Sequence, residues 1–130
     1  MAVLDTSFLI DIIHNSPVAL ELLVKLERTE LNLFVAAPSV MELWAGVLKG
    51  KKSQRKKASV EEFLASLNVL PLNSESAKRS AEIEAELSTK GLIIDTEDMM
   101  IAGIAVANGE TIVTKDAHYT RISNLKVLKY

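Results

Sequence analysis

Short apolar runs and longer runs with helical spacing alternate along nearly the whole chain. Ala2 to Leu4 has the length and composition of a buried strand. Thr6 to about His14 continues as a helix, which Asn15-Ser16-Pro17 interrupts; Ser16 as N-cap and Pro17 in the first turn then start a second helix to about Arg28. Asn32 to Ala36 predicts the second strand, and Ser39 stands where it could cap a third helix through Leu48, closed by Gly50. From Ser53 to about Leu67 the residues Val60, Phe63, Leu64 and Leu67 follow the i, i+3, i+4, i+7 pattern of a fourth helix. Asn68 to Leu72 reads as a third strand, Ser74 to Thr89 as a helix ended by Gly91, and Asp95 to Ala107 as a helix stopped by Asn108-Gly109. Glu110 to Thr114 and the short Lys126 to Lys129 supply the remaining strands. Alternating strands and helices imply right-handed crossovers and a parallel sheet between helical layers. The expectation is an α/β fold, one three-layer α/β/α domain over residues 1–130 with a central parallel sheet of four to five strands.

Composition narrows the chemistry. A chain of 130 residues can bury a core without covalent staples, and with no cysteine it has neither disulfides nor thiolate metal sites. Fifteen Lys and Arg against seventeen Asp and Glu give a formal net charge of -2, so no basic footprint dominates. The cations are nevertheless uneven: Lys49, Lys51, Lys52, Arg55, Lys56 and Lys57 crowd one stretch, which could track RNA phosphates or simply form a solvated helix start. No run approaches the roughly 18 apolar residues of a membrane span. The apolar start carries no basic region and is interrupted by Asp5 and Asp11, so a cytoplasmic location is expected.

Four acids stand at ends of strand-like runs or starts of helices. Asp5 closes the first strand, Glu42 follows the second, Asp98 opens the last long helix and Asp116 follows Thr111-Ile-Val-Thr-Lys. In a parallel sheet these positions share the carboxyl edge, where ligands bind. Each has a plainer reading: Ser39-x-x-Glu42 has capping-box spacing, Asp95-x-x-Asp98 suits a helix dipole, and Asp116 can cap a turn. Asp5, wedged between apolar strand and Phe8-Leu9-Ile10, resists one, because an unpaired charge near a core is costly. Two carboxylates ~4 Å apart repel by ~4 kcal/mol at an effective dielectric of ~20, and a cluster relieves this by protonation or by holding a cation. All-oxygen donors suit Mg²⁺ or Mn²⁺, and such ions serve phosphodiester hydrolysis.

The ordered segments Val3-Leu-Asp-Thr-Ser-Phe-Leu-Ile-Asp11, Pro38-Ser-Val-Met-Glu42-Leu, Gly91-Leu-Ile-Ile-Asp-Thr-Glu-Asp98-Met-Met-Ile-Ala and Ile112-Val-Thr114-Lys-Asp116 resemble the PIN-domain ribonucleases, most nearly the toxin subunits of VapBC-type toxin–antitoxin pairs. The resemblance covers Val3 to about Val127. It implies a Mg²⁺- or Mn²⁺-dependent endoribonuclease, a homodimer held inactive by an antitoxin protein. By position it makes Asp5, Glu42 and Asp98 the metal-binding acids, Asp116 a fourth and more variable one, and Ser7 and Thr114 their supporting hydroxyls. The chain departs at Ala117-His-Tyr119, where many relatives carry an acid followed by Phe. Alternative functions are a stand-alone RNA-processing nuclease, or a catalytically silent RNA- or partner-binding module of the same fold. A phosphatase-type domain fits poorly, since Ser7 occupies the place of its second acid.

Among the remaining features, Val18 to Leu26 is apolar around most of its circumference, which suggests either full burial or a dimer or antitoxin surface. Trp44 is expected in the core or an interface, His14 and His118 as isolated side chains without ligand spacing, and Asp11 on an exposed helix face. Asp95 and Glu97 are expected to complement the helix dipole rather than join the site.

Overall fold

In the first strand, β1 (Ala2–Leu4), Ala2 and Leu4 pack into one apolar cluster and Val3 into another, because successive strand side chains point to opposite faces. A strand buried on both faces belongs inside a parallel sheet covered by two helical layers. The computed structural model, which describes residues 2–29, 32–50 and 54–130, has that arrangement. β2 (Leu33–Ala36), β3 (Asn68–Leu70), β4 (Thr111–Thr114) and β5 (Val127–Lys129) join β1 in the order β3-β2-β1-β4-β5, every pairing parallel.

One helical layer comprises α1 (Thr6–Ile13), α2 (Pro17–Thr29), α3 (Ala37–Lys49) and α4 (Gln54–Ala65), whose Phe8, Leu9, Ala19, Leu26, Leu43, Val47, Val60 and Leu64 meet Leu4, Val35 and Val113. The other comprises α5 (Ser74–Thr89) and α6 (Thr96–Ala107), whose Ile83, Leu87, Ile101, Ile104 and Ala105 meet Val3, Ala36 and Ile112. Trp44 packs against the first cluster, as expected for a core residue. α5 and α6 approach closely at Gly103, where a Cβ would stand 2.0 Å from Ser80 Oγ and 2.7 Å from the Ser76 carbonyl oxygen.

The elements follow the sequence expectations closely, and the differences have local causes. β3 stops at Leu70, before Pro71, which has no N–H to donate. Ser39 does not cap α3: the helix starts three residues earlier than such a cap would place it, at Ala37, with Ala36 in the N-cap place and Pro38 in the first turn. Gly50 does close α3, in extended rather than left-handed backbone, whereas Gly91 and Gly109 beyond α5 and α6 have φ of +67° and +65°. The fourth helix is described from Gln54, so Ser53 lies outside the described residues. α2 is only partly buried; Ala19 and Leu26 face the core while Val18 and Val24 are exposed, so the fully buried alternative does not hold. Among the described residues no single helix is long and apolar enough to cross a membrane.

Candidate metal centre

The chain runs outward from β1 on one side through β2 to β3, then returns across β1 to place β4 and β5 on the other side. That reversal opens a crevice beyond the carboxyl ends of β1 and β4, the usual ligand position in such sheets. Asp5 follows β1 directly and its N–H extends the ladder to the Val113 carbonyl at 3.0 Å. Asp116 lies two residues past β4, and Asp98 sits in the first turn of α6. Glu42 projects from the second turn of α3, the helix that leaves β2 without a loop.

Asp5 is 4% exposed and surrounded by hydroxyls. Thr114 Oγ1 donates to its Oδ2 at 2.8 Å and Ser7 Oγ to the same oxygen at 3.0 Å, while the Tyr119 hydroxyl donates to Oδ1 at 2.9 Å. Ser7 and Thr114 are therefore where the sequence expectation put them, against the first acid. Asp5 occupies the N-cap place of α1 but makes no side-chain cap bond, so capping does not account for it. The capping-box reading of Glu42 also fails, because Thr6 Oγ1 holds Glu42 Oε1 at 2.8 Å and lies 2.9 Å from buried Ser39 Oγ.

Asp98 meets Asp116 and His118 in a group whose ligand atoms lie within 4.8 Å of one another; Asp5 stands outside that group and is joined to it through Tyr119, and Glu42 lies beyond, close enough to Asp5 to feel its charge. The turn-cap reading of Asp116 does hold, since its Oδ1 accepts the His118 N–H at 2.9 Å and lies 2.7 Å from His118 Nδ1. His118 is solvent-exposed but not isolated, a correction to its expected standing as a free loop histidine. Glu97 likewise sits closer to the chemistry than a dipole role required, against the Glu42 carboxyl. Asp11 is not on a free helix face: Lys115 Nζ at 3.0 Å and the Tyr130 hydroxyl at 2.8 Å pin it, and Lys115 draws its carboxyl below the usual range.

Of the cationic cluster, Lys49 and Arg55 are exposed, Lys56 and Lys57 half-buried, and Lys56 lines a groove of about 180 Å³ with Glu42, Ile10 and Val47. Lys51 and Lys52 lie outside the described residues.

The electrostatics favour a bound cation. Burial first, then neighbouring Glu97 and Asp5, pushes Glu42 up to about 7 despite the Thr6 hydrogen bond. Burial first, then Asp5 and Asp116, pushes Asp98 up to about 6 against the bond from Tyr119. The ordinary values, 4.5 and 3.8, apply in the unfolded chain. An acid whose pKa folding raises contributes stability below its unfolded value and loses it as pH climbs through the folded one. Without divalent cations the melting temperature is therefore expected to fall as pH rises from about 5 to about 8. Differential scanning fluorimetry in chelator checks this, and a flat or rising trend through that window would contradict the repulsion described.

Thr6 and Tyr119 escaped the sequence reading, and Glu97 was assigned to the helix dipole rather than to the site. Thr6 and Tyr119 had no chemical signal of their own, although the departure at Ala117-His-Tyr119 was a marker for the latter.

The sequence profile of the PIN domain family matches residues 2–125. The ribonuclease VapC2 of Rickettsia felis is 33% identical over 127 residues, spanning 94% of this chain and 92% of that protein. A tRNA(fMet)-specific endonuclease VapC from Salmonella typhimurium is 33% identical over 128 residues, spanning 95% and 93%. In three dimensions the chain superposes on one from the crystal structure of VapBC2 from Rickettsia felis bound to a DNA fragment from their promoter, with a TM-score of 0.90, 27% identity and coverage of 99% and 98%.

Proposed function

This chain belongs to the PIN-domain family, as a ribonuclease of the VapC kind, and from that premise we propose a Mg²⁺- or Mn²⁺-dependent endoribonuclease that serves as the toxin of a toxin–antitoxin pair. The observation that carries the reading is Asp5: an almost wholly buried carboxylate at the sheet's switch point, fixed by three hydroxyl donors beside three further acids. Asp98 and Asp116, with exposed His118 beside them, offer ligand atoms close enough for one ion, and Asp5 and Glu42 are proposed to complete the hard oxygen donors that Mg²⁺ or Mn²⁺ takes. When bound, the cation supplies Lewis-acid activation of water and neutralises charge on the phosphodiester.

The protein's own part is positional. Thr114 and Ser7 lock one oxygen of Asp5, so its carboxylate cannot swing away from the crevice. Thr6 does the same for Glu42 Oε1. Asp98 and Asp116 reach the crevice from a helix start and a capped turn, both short of flexible linker. Membership of the PIN family implies products with a 5′-phosphate and a 3′-hydroxyl, and the cytoplasm is the proposed place of cleavage, where RNA and a cognate antitoxin would meet the protein.

The Salmonella relative's name makes tRNA the first substrate to try. Purified protein with Mn²⁺ should cut a tRNA pool, and chelation should stop it. A Mn²⁺ concentration of about 100 times Kd should also stabilise the fold by about 2.7 kcal/mol. Cation-independent cleavage, or none with any RNA offered, would sink the assignment.

Lys49, Arg55 and Lys57, with Lys51 and Lys52 of the same stretch of sequence, are proposed to track the RNA backbone. Replacing Lys49, Arg55 and Lys57 by Ala should flatten the slope of log affinity against log salt by about 2, at ~0.7 per phosphate contact on a single strand. An unchanged slope in a filter-binding titration returns the cluster to a solvated helix surface. The exposed Val18 and Val24 of α2, with Met41 and Leu48 of α3, offer apolar area for a homodimer or an antitoxin. The VapBC2 structure of Rickettsia felis is the assembly that favours the antitoxin.

A further inference from the structure

We propose that Tyr119 is a positioning residue of this centre, its hydroxyl joining Asp5 to Asp98 from the core side and holding both carboxylates ready for a divalent cation. The inference rests on the cation-binding reading above. Tyr119 is completely buried, with its ring in the α5–α6 cluster among Ile101, Ile104 and Ile122. It comes from the short 3-10 turn Ala117–Arg121 after β4, whereas Asp5 ends β1 and Asp98 begins α6. Its hydroxyl lies 2.9 Å from Asp5 Oδ1 and 3.2 Å from Asp98 Oδ1, so one donor serves two acids from different elements. A tyrosine ring has few rotamers, and one packed on all sides holds its hydroxyl at a fixed point.

Lone-pair accounting shows what this does to Asp5. A carboxylate offers about four acceptor positions. Thr114, Ser7 and Tyr119 take three of them, which stops the group turning and leaves one position on Oδ1. The ring is wholly buried whereas Asp98 is only half-buried, so the hydroxyl meets the acids from the core side. Burial and the two flanking acids also push the phenol's pKa upward, so the hydroxyl keeps its proton. Without that bridge the repulsion between the two carboxylates loses the shared donor that offsets it.

Hydrogen-bond partners that orient metal ligands are commonly worth 10–100-fold in metal affinity. Tyr119→Phe keeps the ring and deletes only the bridge, so its Kd for Mn²⁺, by isothermal titration calorimetry on the full chain with no RNA present, should rise at least tenfold. Ile122→Val, in the same cluster, controls for loosened packing: it should lower the melting temperature yet leave the Mn²⁺ Kd within about twofold. An unchanged Kd in Tyr119→Phe overturns the proposal, and a tighter one overturns it in favour of a hydroxyl that merely fills the cation's place. If the unaltered protein takes up no Mn²⁺, this inference and the cation-binding reading fall together; if it binds and Tyr119→Phe binds equally, only this inference falls.

Discussion

Asp5→Asn should lower RNA cleavage by about a thousandfold while leaving the fold intact. The size follows from charge: one carboxylate ~4 Å from a divalent cation at an effective dielectric of ~20 attracts it by about 8 kcal/mol, and about half of that felt in the transition state is roughly three powers of ten in rate. The fold survives because the neighbours are hydroxyls that can turn. Asn keeps an oxygen for Thr114 and Ser7, and its amide can donate to the Tyr119 oxygen while that hydroxyl bonds Asp98. Removing the negative charge also relieves Glu42 and Asp98, both of which Asp5 pushes upward. At pH 8 in chelator the variant should therefore melt no lower than the parent protein. Cleavage within tenfold of the parent, measured on the same tRNA pool at saturating Mn²⁺, would remove Asp5 from the proposed machinery.

The second large effect is on stability and lies away from the acids. Gly103→Ala is expected to destabilise the protein by about 3 kcal/mol, the upper part of the usual range for overpacking. That corresponds to roughly 10 °C in melting temperature for a chain of this size. The added Cβ would meet Ser80 Oγ at 2.0 Å, Ser76 carbonyl oxygen at 2.7 Å and Ser80 nitrogen at 2.8 Å. Two of those atoms are backbone of α5, so a rotamer change cannot make room. Adding Ser80→Ala should restore only a part of the loss, since it clears the hydroxyl and leaves the backbone contacts. Full recovery in the double variant would show that the helices are not as tightly seated as these distances indicate. Because Asp98 rides on α6, Mn²⁺ affinity should weaken along with stability.

Most of the architecture was legible in the residues. Buried strands read as short apolar runs, and Asn15-Ser16-Pro17, Gly91 and Asn108-Gly109 mark breaks that the fold respects. Placement of the acids at one edge followed from topology, because each stands at a strand end or helix start. What could not be read was the wiring between them. Thr6 meets Ser39 across 33 positions and Tyr119 meets Asp5 across 114, separations at which no local periodicity operates. Ser39 shows the opposite failure: its spacing to Glu42 has a familiar local meaning, yet Pro38 starts the helix earlier and a buried partner, Thr6, claims both side chains. Gly103 has ordinary left-unmarked surroundings in sequence, and only the approach of α5 gives it importance.

β1 pairs with β2 at Leu33 and Phe34 on one side, but on the other it needs Thr111 to Val113. A nascent chain of 110 residues already contains Asp5, Glu42 and Asp98, yet it lacks the strand that seats the first of them and both Thr114 and Tyr119. Contacts this distant in sequence form late, after the entropy of closing the intervening loop has been met. Translation itself thus delays the assembled centre until Thr114 and Tyr119 have been added. For a protein that cuts RNA, the order of synthesis puts two of the hydroxyls that seat Asp5 after Asp5, Glu42 and Asp98 themselves.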